Sequence, residues 1–181
     1  MPEIKIRPAT STDINSLILL DHNVETEYVW QMDRLFDDDQ LQIVFRQIRL
    51  PRSTIIKYPR RPEELKDNWS KKNLLLTAAI KLQLVGYLGL TLSENTSVAW
   101  MTDLVVAGQF RRQGIASALI LSAREWLRRA STISKVILEM VPKNYPAIML
   151  AKKMGFEFCG FNEHYYSEKD IALFFGCNMA R

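Results

Sequence analysis

The sequence predicts one α/β domain built on a mostly antiparallel sheet with a single parallel strand pair. Three observations carry this. Leu74–Leu82, Gly86–Leu92 and Val98–Val106 are apolar runs joined by short turns, which makes them antiparallel neighbours. Lys135–Val141 is a fourth apolar run, reached through a helix, so it lies parallel to its predecessor. The 181 residues are 48% hydrophobic and 24% charged, with no repeat or linker, so residues 1–181 form one domain with a sizeable core.

Each element has its own signal. Ile4 and Ile6 alternate with Lys5 and Arg7, giving a first strand that Pro8 ends. Thr10 or Ser11 caps a helix with Asp13 in its first turn, and Ile14, Leu17 and Ile18 follow at helical spacing. Residues 25–70 are less regular. Leu41–Ile48 alternates as a strand and Ser53–Tyr58 reads as another. Pro51, Pro59 and Pro62 exclude a long helix between them, and Pro62 opens a short one. After the three central strands, Ile115, Leu119, Ala123, Trp126 and Ala130 share one helical face. A helix over Asn144–Met154, a strand over Phe156–Tyr166 and a strand over Ile171–Met179 complete the chain.

Composition narrows the function. A net charge of +4 is too small to argue for nucleic acid, and suits a local anion site equally well. The basic stretch Arg46–Arg61 lacks interleaved aromatics. Cys159 and Cys177 form no CxxC pair, so we expect no metal and two reduced packing thiols. His22 and His164 read as packing or surface residues. No apolar run reaches signal-peptide or membrane-span length, so the cytoplasm is the expected location.

The chemistry concentrates in Thr102–Ala116, reading TDLVVAGQFRRQGIA. An apolar strand turns through Arg111-Arg112-Gln113-Gly114 into a helix at Ile115. Unpaired N–H groups and the helix dipole favour an anion there, and glycine lets the backbone approach it. No Gly-Lys-Ser/Thr follows, so this is not a P-loop, and a lone glycine is not a dinucleotide fingerprint.

Arg111-x-x-Gly114-x-Ala116 after an apolar strand resembles the acetyl-CoA motif of the GNAT superfamily of N-acetyltransferases. Leu138-Glu139-Met140 leading to Asn144, Ala147 and Leu150-Ala151-Lys152-Lys153-Met154-Gly155-Phe156 resembles the second signature of that family. The opening strand "IRPAT" fits too. The resemblance implies the GNAT acyl-CoA N-acyltransferase fold, with helices on both sheet faces. The acetyl-CoA core would span about 74–179 and the acceptor-side variable region about 25–70. It also implies acetyl transfer from acetyl-CoA to a primary amine of a small molecule or a peptide. Backbone groups of Leu104, Val105 and Val106 would hold the thioester and pantetheine arm. Arg111, Arg112, Gln113, Gly114, Ile115, Ala116 and Ser117 would hold the pyrophosphate. Asn144 would bond the pantetheine arm, with Ala147 and Lys152 in the same set. The partners implied are acetyl-CoA and an amine, without membrane or nucleic acid. A homodimer is compatible with this reading.

An attacking amine must be neutral, so a base is wanted. Glu139 is the first candidate: it is a charge in the apolar strand Val136–Val141, and "LEM" matches the catalytic glutamate of ribosomal-protein N-terminal acetyltransferases. The alternative is a strand-end carboxylate paired with an arginine. Asp103 is the second candidate. The helix tyrosine that usually protonates the leaving thiolate is replaced by Ala151. Tyr145 is the nearest tyrosine in sequence, and Tyr165 and Tyr166 resemble the paired tyrosines of N-terminal acetyltransferases. Tyr145 and Tyr166 are therefore the candidate hydroxyls. Ala151 also leaves open an acyl-CoA-binding sensor or interaction domain with weak catalysis.

Overall fold

Leu74-Leu75-Leu76 has consecutive apolar side chains, and in a strand these point to opposite faces. Both faces of the middle of this sheet must therefore be covered. The computed structural model describes residues 3–94, 96–129 and 132–179, and shows how. In chain order the elements are β1 (Ile4–Pro8), α1 (Ile14–Ile18), β2 (Val24–Asp37), β3 (Gln40–Ile56) and α2 (Leu65–Asn68). Then come β4 (Leu74–Ile80), β5 (Gln83–Leu92), β6 (Val98–Val106), α3 (Ile115–Arg129) and β7 (Lys135–Met140). The chain closes with α4 (Tyr145–Lys153), β8 (Glu157–Asn162) and β9 (Ala172–Asn178). Seven strands make one sheet in the order β1-β4-β5-β6-β7-β9-β8, and β2–β3 forms a separate ribbon. Among the described residues only the β6–β7 pairing is parallel.

Alternate residues of the central strands feed two cores. Leu74, Leu76, Leu88, Leu90 and Met101 pack with Ile115, Leu119 and Ala123 of α3 and with Ile148 and Ala151 of α4. Leu75, Tyr87 and Val105 face the other way, onto Ile14 and Leu17 of α1 and Leu65 of α2. Helices thus cover both faces, as expected. Ala130, read as part of the α3 face, lies outside the described residues.

Residues 25–70 depart most from the sequence reading. The two separate strands are one, β3, which pairs along most of its length with β2. Pro51 is tolerated because, among the described residues, no third strand pairs with the ribbon to need the N–H that proline lacks. The register also shifts there: Thr26 pairs with Thr54, and Tyr28 with Arg49, so Leu50–Ser53 bulge out. The strand predicted over Phe156–Tyr166 stops at Asn162, leaving Tyr165 and Tyr166 in the β8–β9 loop. Cys159 and Cys177 are free, but Cys159 is exposed and not a packing residue.

Candidate active site

The parallel ladder between β6 and β7 runs from Val98–Lys135 to Met101–Leu138 and ends there. Thr102 is the extra residue of a bulge, because Leu90 of β5 pairs with Met101 and Gly89 with Asp103. Beyond this point β6 and β7 part. Asp103 stands on one lip of the gap and Glu139 on the other, and both are buried.

Arg60 bridges the lips. One guanidinium nitrogen donates to the Thr102 carbonyl at 2.8 Å and another ion-pairs with Glu139 Oε1. Its Cζ lies 5.0 Å from the Tyr166 ring centroid. The Glu139 side chain is wholly inaccessible. Its second oxygen accepts from the Tyr165 hydroxyl at 2.8 Å. Glu139 is therefore both a carboxylate in the gap and an arginine partner, the two readings the sequence left open.

Asp103 is held from three sides. Lys72 Nζ lies 2.6 Å from Oδ2, the Thr102 hydroxyl donates to Oδ2 at 2.9 Å, and the Tyr58 hydroxyl donates to Oδ1 at 2.5 Å. Gly89 makes this cluster fit: a Cβ there would stand 2.8 Å from Asp103 Oδ2 and 3.0 Å from the Lys72 stem. Tyr87 continues the network to His22, whose Nε2 lies 3.1 Å from the Tyr87 hydroxyl while Nδ1 meets the Leu20 carbonyl at 2.6 Å. His22 is thus a buried packing residue, and its burial keeps its pKa below the ordinary histidine value. A cleft of about 290 Å³ opens on Asp103, Lys72, Tyr58 and Arg60. Arg60 stands between this cleft and Glu139.

The two carboxylates are pushed apart in acidity. Burial raises the pKa of Glu139, and the Arg60 charge offsets this only in part. Burial also opposes ionisation of Asp103, but Lys72 and Arg60 outweigh it and hold that carboxyl below its ordinary value. Burial, then the Glu139 charge, pushes the Tyr165 hydroxyl up to about 12. Glu139 is the better proton acceptor and Asp103 the fixed anion.

The turn into α3 has left-handed backbone at two positions. Arg112 has φ 64 and Gly114 φ 84, and a Cβ added to Gly114 would meet nothing within 4 Å. The Gly114 carbonyl accepts the first α3 bond, from Ala118. The N–H groups of Ile115, Ala116 and Ser117 precede that bond and face the open turn. A diphosphate fits this cradle. The Arg111 head group is used differently: it donates to the Val106 carbonyl at 2.8 Å and the Asp21 carbonyl at 3.1 Å, tying the turn to the end of β6. Arg112 and Gln113 are exposed at the turn.

At the second signature, Asn144 caps α4 by accepting from the Ala147 N–H at 3.2 Å. Its side-chain NH₂ remains a donor. Lys152 Nζ sits 4.8 Å from the Trp30 ring centroid. Ala151 is fully buried in the core. Tyr145 stacks on Tyr28 with ring centroids 5.2 Å apart, and Tyr166 is buried beneath Arg60. Of the tyrosines considered, Tyr165 alone touches Glu139. Tyr58, Arg60, Lys72 and Gly89 were not singled out as site residues from the sequence. Only the proline-bracketed basic stretch around Arg60 hinted at them. Among the described residues no His, Cys, Asp and Glu group could hold a metal. No described helix is long and apolar enough to cross a membrane.

The model of the acetyltransferase (GNAT) family matches residues 38–156. An N-alpha-acetyltransferase of Sulfurisphaera tokodaii is 33% identical over 72 residues, 40% of this chain and 43% of that protein. The match thus spans under half the length of that relative. Among solved structures, a nourseothricin acetyltransferase superposes with a TM-score of 0.83 at 21% identity, over 98% of this chain and 99% of its own. A Bacillus anthracis protein described as a streptothricin acetyltransferase, solved with acetyl coenzyme A, superposes with a TM-score of 0.72 at 18% identity, over 98% of each chain. At these identities the structural likeness is one of fold.

Proposed function

Because the chain belongs to the GNAT acetyltransferase family, we propose that it acetylates a primary amine, of a small molecule or a peptide, with Glu139 as the base. It is an acetyl-CoA-dependent acetyltransferase, and acetyl-CoA supplies the activated acetyl group. One observation carries the assignment: Glu139 is a fully inaccessible carboxylate, raised in pKa, where β6 and β7 separate.

The rest follows from what this chain's residues do. The α3 N-terminus and Gly114 bind the diphosphate, and Asn144 donates to the pantetheine arm. The edge of β6 that faces β7, unpaired beyond Met101, orients the acyl end. The gap excludes water, which strengthens every charge inside it. Glu139 takes the proton of the incoming ammonium through the Tyr165 hydroxyl bonded to it, so the amine becomes nucleophilic. Tyr165, already hydrogen-bonded to Glu139, is the hydroxyl placed to carry a proton where Ala151 provides none. Lys72 and Tyr58 keep Asp103 ionised and still.

Glu139→Gln tests this. Thiol release over a panel of amines should fall by about 10²–10⁴-fold in kcat/KM, while acetyl-CoA titration stays unchanged. For the natural enzyme kcat/KM should rise with pH through the Glu139 pKa, above the ordinary glutamate range, as the carboxylate forms. A variant with wild-type turnover and pH profile would remove Glu139 from the chemistry.

A further inference from the structure

β7 sends alternate side chains to opposite faces of the sheet. Val136, Leu138 and Met140 enter the core that α3 and α4 cover. Ile137 and Glu139 therefore point to the other face. The core beneath α1 and α2 takes Leu75, Tyr87 and Val105 from that face, but neither Ile137 nor its register partner Trp100. Phe174 of β9 is the register partner of Glu139. Three rings stand in a row here. Trp100 meets Phe174 with centroids 5.3 Å apart at 86°, and Phe174 meets Tyr165 at 5.5 Å and 78°. Trp100 and Phe174 are half-buried, and Tyr165 is exposed. Rings held at near right angles leave a corner that takes a third ring by edge-to-face or offset contact.

The row ends at the base. The Tyr165 hydroxyl donates to Glu139 at 2.8 Å. The cleft on Asp103 and Tyr58 also runs to this place, because its lining includes Thr91, the cross-strand partner of Trp100. An amine at the Tyr165 hydroxyl thus carries its substituent over Phe174 and Trp100. The charges around the row limit that substituent. Glu139, Asp103 and Glu64 are already paired, with Arg60, Lys72 and Arg61. At the outer end Lys135 lies over Gly176, where a Cβ would stand 2.7 Å from its Cε, and it has no ion pair among the described residues. A second ammonium on the acceptor would find no free carboxylate on this face and would meet Lys135.

We propose that Trp100, Phe174 and Tyr165 form the acceptor subsite, and that the acceptor is a monoamine carried on an aromatic ring by a short linker. The ring packs on Trp100 and Phe174 while the nitrogen reaches the Tyr165 hydroxyl. This rests on the reading of Glu139 as the base for the identity of the reacting nitrogen. Such an amine is either free or the N-terminus of a peptide that begins with an aromatic residue.

Calorimetric titration tests it without turnover. The natural chain should bind 2-phenylethylamine on the order of tenfold more tightly than butylamine, and spermidine more weakly than either. A tripeptide amide beginning with phenylalanine, set against one beginning with alanine, tells the peptide source from the free amine by the larger preference. Trp100→Ala should reduce the aromatic preference to near parity, and Trp100→Phe should keep most of it. Because each variant is read as a ratio of two amines, a partly unfolded sample does not imitate the result. Equal affinity for aromatic and aliphatic amines in both series would overturn the proposal. So would tightest binding of spermidine, or an aromatic preference that survives Trp100→Ala. Thiol release over the same amines separates the two readings. Aromatic preference in binding without thiol release would overturn the role of Glu139 and leave the subsite standing. Thiol release without aromatic preference would do the reverse.

Discussion

At the scale of single residues, the two carboxylates of the site each have one ion-pair partner and further hydroxyl donors. Asp103 is the most demanding. Removing its charge as Asp103→Asn leaves Lys72, whose side chain is 12% exposed, without its ion pair. Breaking a buried pair in this way costs about 3–5 kcal/mol, read by chemical denaturation. The natural pair has a pH signature as well. The pKa of Asp103 is lower folded than unfolded, so its contribution is present above the ordinary aspartate range and lost as pH falls through the folded value. Asp13 follows the same rule. The Arg7 guanidinium, at 2.7 and 2.8 Å, and the Thr10 N–H and hydroxyl hold its carboxyl far below the usual range. Acid should therefore unfold the Asp13→Asn variant at a higher pH than the natural protein. Gly114→Ala forces a Cβ into φ 84 with free space around it. The cost is backbone strain of about 1 kcal/mol, a fall in melting temperature of roughly 2–4 °C. A loss of acetyl-CoA affinity larger than that strain explains would mark the turn as the diphosphate site.

At the scale of elements, the legible parts were those whose side chains face one environment. β4 to β7, α3 and α4 have apolar periods matching one or two cores, and the turn from β6 into α3 lies in local sequence. The ribbon was harder. Tyr28, Trp30 and Met32 do repeat every second residue, but polar and acidic neighbours interrupt the pattern, because only part of one face meets the body. Arg60 and Lys72 were not readable as site residues. Their partners, Glu139 and Asp103, are 79 and 31 residues away, and only the fold brings them together. Tyr165 stood beside Tyr166 in the sequence reading, but its contact with Glu139 follows from β8 stopping at Asn162. α4 supplies a further test. Ala151 is fully buried among core side chains, so Ala151→Tyr overpacks the helix against the sheet. We expect a loss of about 1–3 kcal/mol in denaturant titration, with no gain in thiol-release turnover.

At the scale of the whole molecule, ligand binding and stability are linked. The proposed cofactor cradle joins the end of β6 to α3, and both exist only in the folded chain. Saturating acetyl-CoA should raise the melting temperature, by about 2.7 kcal/mol of added stability at a hundred times its dissociation constant. The pairing of charges around the strand gap has another consequence. Arg60 with Glu139 and Lys72 with Asp103 sum to zero within a few ångströms. Seen from beyond a Debye length of about 8–10 Å, such pairs cast almost no field. The gap therefore does not steer charged acceptors through solution. They arrive by unguided encounter and are sorted only on contact. Raising ionic strength should leave the acceptor's association rate nearly flat, in contrast to sites that draw their ligands in by long-range attraction. Stopped-flow association rates across a salt series would show this, and a steep decline with salt would mean that charge outside the gap guides the approach.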